Sequence, residues 1–210
     1  MRKSIGKKTK ITKKIKWYAA VVGLATTGAF VLSSGGASGH GYIDLPISRQ
    51  KLCANGTVTN CGATQWEPQS VEGPKGFPSA GPADGRICSA GHGNFSALDQ
   101  PRTPSGGDWP TTKVTGGQSH TFRRQFTARH STTDFRYHVT KNGWNQNAPL
   151  TRAALETTPF LTVPYNGQPP ATLSHNGTLP SGRSGHHVIL AVWTIADTGN
   201  AFYACSDVTF

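Results

Sequence analysis

No acidic residue occurs among the first 39 positions, which nevertheless hold 8 of the 21 Lys and Arg. Beyond them no long helical periodicity appears, no segment repeats, no C-x-x-C pair occurs and no linker divides the chain. Each absence removes a class of protein. Without sustained helical periodicity a bundle or coiled coil is excluded. Without a repeat, solenoids and propellers are excluded. Without C-x-x-C, a metal-binding reading of the cysteines is weak. The uneven charge disposes of a fourth class. The formal charge is +11 over the whole sequence, yet residues 40–210 carry 13 basic and 10 acidic groups, a net +3. A nucleic-acid partner argued from overall charge therefore has no basis downstream of the first segment.

The first segment reads as an export signal. Arg2, Lys3, Lys7, Lys8, Lys10, Lys13, Lys14 and Lys16 are followed by an uncharged, largely apolar run from Trp17 to Leu32. Small residues then fill Ser33 to Gly39. Basic, apolar and small, in that order, is the pattern of a cleaved signal peptide. As a membrane span, the apolar run is about the minimum length and is diluted by Gly and Thr. The expectation is a signal peptide over residues 1–39, a secreted extracellular product, and His40 as the new N-terminus.

The four cysteines, Cys53, Cys61, Cys88 and Cys205, all lie in the exported part. An even count outside the cytosol implies two disulfides, for which three pairings exist. Cys53 and Cys61 are close enough to staple a small loop and are paired on that ground, which leaves Cys88 with Cys205.

Residues 40–210 suffice for one domain with a core of its own. Thr121–Ala128, Phe135–Thr140, His187–Ile195 and Ala201–Phe210 are rich in β-branched and aromatic residues and are separated by turn residues, as strands are. Ser48–Pro110 is loop-like, with Gly-Pro punctuation at Gly73-Pro74 and Gly81-Pro82. The expected fold is all-β: a single immunoglobulin- or fibronectin-III-like antiparallel β-sandwich, with a long loop region carrying short helices between the first strands.

An N-terminal histidine carries chemistry of its own. Its α-amine and imidazole Nδ1 can chelate one metal ion, and the amine titrates near ~8, so a metal displaces its proton at neutral pH. A further imidazole would complete three nitrogen donors, a set that favours Cu(II). His92, His120, His130, His138, His175, His186 and His187 are all candidates for it, and composition alone does not choose.

The motifs are more specific. His40-Gly-Tyr-Ile, Trp66-Glu-Pro-Gln-Ser-Val-Glu-Gly73, Ala80-Gly-Pro-Ala-Asp-Gly85, Thr127-Ala-Arg-His-Ser-Thr-Thr133, Asn147-Ala-Pro-Leu-Thr-Arg152, His187-Val-Ile-Leu-Ala-Val-Trp193 and Ile195-Ala-Asp-Thr-Gly-Asn-Ala-Phe-Tyr203 stand in order along the chain. Together they resemble the bacterial lytic polysaccharide monooxygenases of auxiliary activity family 10, once called chitin-binding proteins, across essentially all of residues 40–210. The resemblance implies one copper ion per chain, held by His40 and His130 as a histidine brace. It implies that Phe202 occupies one axial side of the metal, that Ala128 crowds the other, and that Glu72 is an acid beside the metal that positions an oxygen species. It implies a flat face around the metal, lacking a pocket, with Trp66, Glu67, Thr127, Asp197 and Asn200 meeting the substrate.

The activity so implied is oxidative cleavage of insoluble polysaccharide, chitin first and cellulose second, at C1, by a monomer. An external electron donor and hydrogen peroxide or dioxygen are the other partners. A non-catalytic chitin-binding protein is the alternative. The chain departs from some chitin-active relatives in two ways. It lacks their disulfide at the positions of Leu161 and Gly177, and it has Trp66 where several have Tyr.

Overall fold

The computed structural model describes Met1 and residues 39–210. Residues 2–38 of the expected export signal lie outside the described residues. No helix among the described residues is long and apolar enough to cross a membrane.

Residues 39–210 fold as an antiparallel β-sandwich. Strands β1 (His40–Leu45), β4 (Ser119–Ala128) and β7 (Thr172–Thr178) form one sheet in the order β1-β4-β7. The second sheet runs β2-β9-β8-β5-β6, from Glu72–Pro74, Asn200–Thr209, His186–Ile195, Thr132–Val139 and Leu161–Gly167. The short β3 (Thr112–Lys113) joins the end of β9 in parallel. The loop region between β1 and β3 carries one helix, α1 (Arg49–Ala54), and 3-10 turns at Gly62–Gln65 and Gly93–Asp99.

The two-residue period of a strand explains why β8 and β9 are buried on both faces. Ile189, Ala191, Trp193 and Ile195 join Phe135, Phe202, Ala204 and Val208 in the core between the sheets, with Ile43, Phe122 and Phe126 opposite. The alternate residues Val188, Leu190, Val192, Ala201, Tyr203 and Cys205 face a second core under the loop region, built with Leu52, Val71, Ile87, Leu98 and Trp109. The loop region thus acts as a third layer, which is why so long an irregular segment is ordered.

Covalent and ionic ties hold that layer. Cys53 bonds Cys61, and Cys88 bonds Cys205 of β9. Arg49 of α1 donates to both carboxylate oxygens of Asp207 at 2.7 and 2.9 Å, and its guanidinium lies 4.8 Å from the Trp109 ring centre. A buried two-bond fork of this kind fixes the angle of a helix too short to be stable alone.

β6 and β7 close the open edge of the sandwich. Leu161 of β6 leans over Gly177 of β7 so closely that a Cβ on Gly177 would lie 2.6 Å from its Cδ2.

Candidate metal centre and surrounding face

The end of the sandwich where β4, β8 and β1 meet gathers the residues singled out in the sequence. His40 opens β1 opposite Ala128, the last residue of β4, and a bulge follows at once, since Gly41 stands opposite Phe126. Bulges re-aim side chains at sheet ends. His130 follows β4 by two residues and is 5% exposed. The backbone just ahead of His40 packs on it: a Cβ at Gly39 would lie 3.1 Å from His130 Cβ, 3.0 Å from the Trp193 ring and 3.2 Å from the Phe202 ring. Gly39, the residue joined to the His40 nitrogen, therefore packs against His130, Trp193 and Phe202. The Trp193 and Phe202 rings stack, with ring centres 4.6 Å apart.

His130 Nδ1 is buried and makes no hydrogen bond, although an Asp197 carboxylate oxygen lies 3.0 Å away, out of line for one. A carboxylate on the Nδ1 side is the setting in which the other ring nitrogen, Nε2, can serve as a metal ligand. Among the described residues no three His, Cys, Asp or Glu side chains converge as a metal cage. Two imidazoles, with the α-amine that cleavage after Gly39 would free, need no such cage, and that set of three nitrogens fits a copper ion.

Glu72 reaches this centre from the third layer. β2 pairs with β9 so that Glu72 stands opposite Phe202 and Pro74 opposite Asn200. The Asn200 amide donates to Glu72 Oε1 at 3.0 Å. His40, Glu72, Asn200, Ser70, Arg86 and His92 line a cleft of about 600 Å³. The face is therefore not flat throughout. A hollow opens beside His40, lined by residues of β2 and of the segment 81–92.

The other residues lie around the hollow. Trp66 is 81% exposed, and no other large apolar side chain apart from Met1 is exposed among the described residues. Glu67, Thr127 and Asp197 are also exposed, Asn200 and Ala128 partly so, and Phe202 is buried. The Trp66 loop is tied to β1 by the Gly41 amide, which donates to Gln69 O at 3.0 Å.

Two residues emerge that the motifs did not single out for a role. His92 was one of seven possible ligands; its Nε2 instead contacts the main-chain oxygen of Glu72. Arg152 ties down the glycine- and proline-rich segment 76–85 by bonds to Pro78 O, Ala80 O and Asp84 Oδ1 at 2.8, 2.7 and 2.8 Å. Both act largely through carbonyl oxygens, which leave no mark in a sequence.

Residues 40–208 match the family described as lytic polysaccharide mono-oxygenase, cellulose-degrading. The chain belongs to this family. It is 77% identical to an AA10 lytic polysaccharide monooxygenase from Streptomyces lividans, whose structure superposes with a TM-score of 0.81 over 81% of this chain and 100% of that one. A Bacillus amyloliquefaciens CBM33 protein in complex with Cu(I) is 42% identical, with a TM-score of 0.72 over 81% of this chain and 99% of that one. GlcNAc-binding protein A of Shewanella oneidensis is 48% identical over 192 residues, covering 91% of this chain and 40% of that protein. The chain thus spans less than half the length of that curated relative. As a lytic polysaccharide monooxygenase family member it carries the start of the His40 motif, the Thr127-Ala-Arg-His stretch and Asn200-Ala-Phe at one end of the sandwich.

Proposed function

We propose that this chain is a secreted, copper-dependent monooxygenase that cleaves glycosidic bonds in crystalline chitin, oxidising C1. The observation that carries the reading is the packing of Gly39, the residue joined to the His40 nitrogen, against His130 and Phe202. Cleavage after Gly39 would free that nitrogen as an α-amine. With the His40 imidazole and one nitrogen of His130 it would hold one copper ion. Asp197 stands on the Nδ1 side of His130, which leaves Nε2 for the metal, as in other carboxylate-flanked ligand histidines.

Copper so held would supply one-electron redox chemistry toward hydrogen peroxide or dioxygen, recharged by an external electron donor. The protein supplies the rest. The buried Phe202 ring would shield one side of the bound ion, and Ala128 would narrow access from another. Glu72, braced by Asn200, offers a carboxylate that can hydrogen-bond the cosubstrate and hold it. Trp66 offers an exposed ring face on which a sugar can stack. Glu67, Thr127, Asp197 and Asn200 supply polar groups to meet the N-acetyl groups of chitin. The protein acts as a monomer on a solid surface, so most substrate contacts lie on the rim and not inside a deep pocket.

Chitin is placed first because the relative from Shewanella is a GlcNAc-binding protein. Cellulose is the second reading, favoured by the description of the matching family. Mass spectrometry of soluble products from β-chitin and from cellulose, with copper and ascorbate, tests both. Aldonic-acid chitooligosaccharides are expected. Oxidised products from cellulose alone would overturn the chitin assignment, and none from either would leave a chitin-binding protein without catalysis.

A further inference from the structure

β2 is only three residues long and lies at the edge of its sheet, paired with β9 alone among the described residues. A strand that short does not hold its own position. The segment 88–92 crosses it from outside. One end of the segment is tied to β9 by the Cys88–Cys205 disulfide. Its middle residue, Ala90, is buried and left-handed, with φ 56°. That conformation is costly for a residue bearing a Cβ and persists only where the surroundings impose it, often at functional sites. Here the surroundings are a turn, in which the Ala90, Gly91 and His92 amides donate to Ile87, Arg86 and Ser89 carbonyls at 3.2, 2.9 and 3.1 Å.

The turn presses on β2. A Cβ on Gly73 would lie 2.3 Å from the Ala90 carbonyl oxygen, so the two backbones touch and only glycine fits. At the end of the turn, His92 Nε2 contacts the carbonyl oxygen of Glu72. The His92 ring is steadied edge-on against Phe95, centre to centre 5.7 Å. Glu72 is therefore held at both ends: its carboxylate by Asn200 and its main chain by His92.

We infer that His92 is a positioning residue for Glu72, the tip of a disulfide-anchored clamp that fixes the carboxylate beside the metal centre. This rests on the reading of Glu72 given above. The Nε2–H of His92 donates to the Glu72 carbonyl, and glutamine at position 92 can present an amide N–H at similar reach.

The test uses the processed protein. In the metal-free form, His92→Ala should speed hydrogen exchange at the Tyr203 amide, which donates to Val71 O at 3.0 Å and reports the β2 pairing. In the copper-loaded form it should lower peroxide-driven turnover about threefold to tenfold, the worth of one hydrogen bond, with copper affinity unchanged. His92→Gln should restore both. The double variant His92→Ala/Glu72→Gln should be no slower than Glu72→Gln, because the two act through one group. Wild-type exchange or wild-type turnover in His92→Ala overturns the clamp. So do losses that multiply in the double variant. Unaltered turnover in Glu72→Gln alone would instead defeat the reading of Glu72, and the exchange result would still decide whether His92 holds β2.

Discussion

At the scale of single residues, burial separates side chains that serve the face from those that burden the core. Trp66 is the clearest of the first kind, because burying it elsewhere would have been favourable and the fold leaves it out. Trp66→Ala should weaken binding to insoluble chitin by about 1–3 kcal/mol, a figure taken from bases stacked on aromatics, while copper affinity stays. A pull-down isotherm that does not move would show that the ring is idle. Arg124 is the clearest of the second kind. It is fully buried, none of its three guanidinium nitrogens has a hydrogen-bond partner, and burial pulls its pKa down to about 10. The rings of Phe135 and Trp193, 5.9 and 5.7 Å away, offset part of the lost hydration. Arg124→Met keeps the length and removes the charge. It should raise the unfolding free energy by about 1–4 kcal/mol, read by chemical denaturation, and a fall would mean that the rings hold the cation better than water does.

At the scale of elements, legibility followed burial pattern. β4, β5, β8 and β9 were readable because their apolar residues either alternate or run unbroken. β6 contains Pro164 and β7 is Thr172-Leu-Ser-His-Asn-Gly-Thr178, so neither carries a run, as is usual for strands at an edge. β1 and β2 were missed as strands because six and three residues give no period to read. The His40 and Thr127-Ala-Arg-His motifs were picked out by the family resemblance, and they fall on neighbouring strand ends. The contact of His92 was not legible, since it touches a carbonyl, and the hollow beside His40 was not, since its lining comes from separate stretches of the chain. The disulfides allow an element-level prediction. Cys88–Cys205 closes a sequence separation of 117 and Cys53–Cys61 one of 8. In the chain-entropy model the long closure contributes about 5 kcal/mol and the short one about 2.5 kcal/mol. Replacing each pair by serine should therefore cost more for Cys88/Cys205. The reverse order in denaturation midpoints would mean that the loop region, not the loop length, carries the stability.

At the scale of the whole molecule, the interior is set up for neutral histidine. His175 lies inside the sandwich with Nδ1 2.8 Å from the Tyr137 hydroxyl, and its ring centre is 4.7 Å from that of Phe135. Burial, assisted by the Arg124 charge, lowers its pKa from 6.5 to about 4. Burial also lowers His120, His138 and His187. The sign follows from proton uptake. Between pH 6.5 and about 4 the unfolded chain protonates His175 and the folded chain does not, so the unfolded state binds more protons. Stability is then fully present above 6.5, falls as pH drops through the window, and the His175 part levels off below about 4. That part amounts to up to about 3 kcal/mol, and the other three histidines add to it in the same direction. Carboxylates begin to titrate only toward the lower end, near ~4, so the upper half of the window isolates the imidazoles. Unfolding free energies of the metal-free protein should therefore fall steadily from about pH 7 to about pH 5. His175→Gln, which cannot titrate, should flatten the slope. A slope unchanged by that substitution would assign the acid sensitivity to groups other than the buried His175.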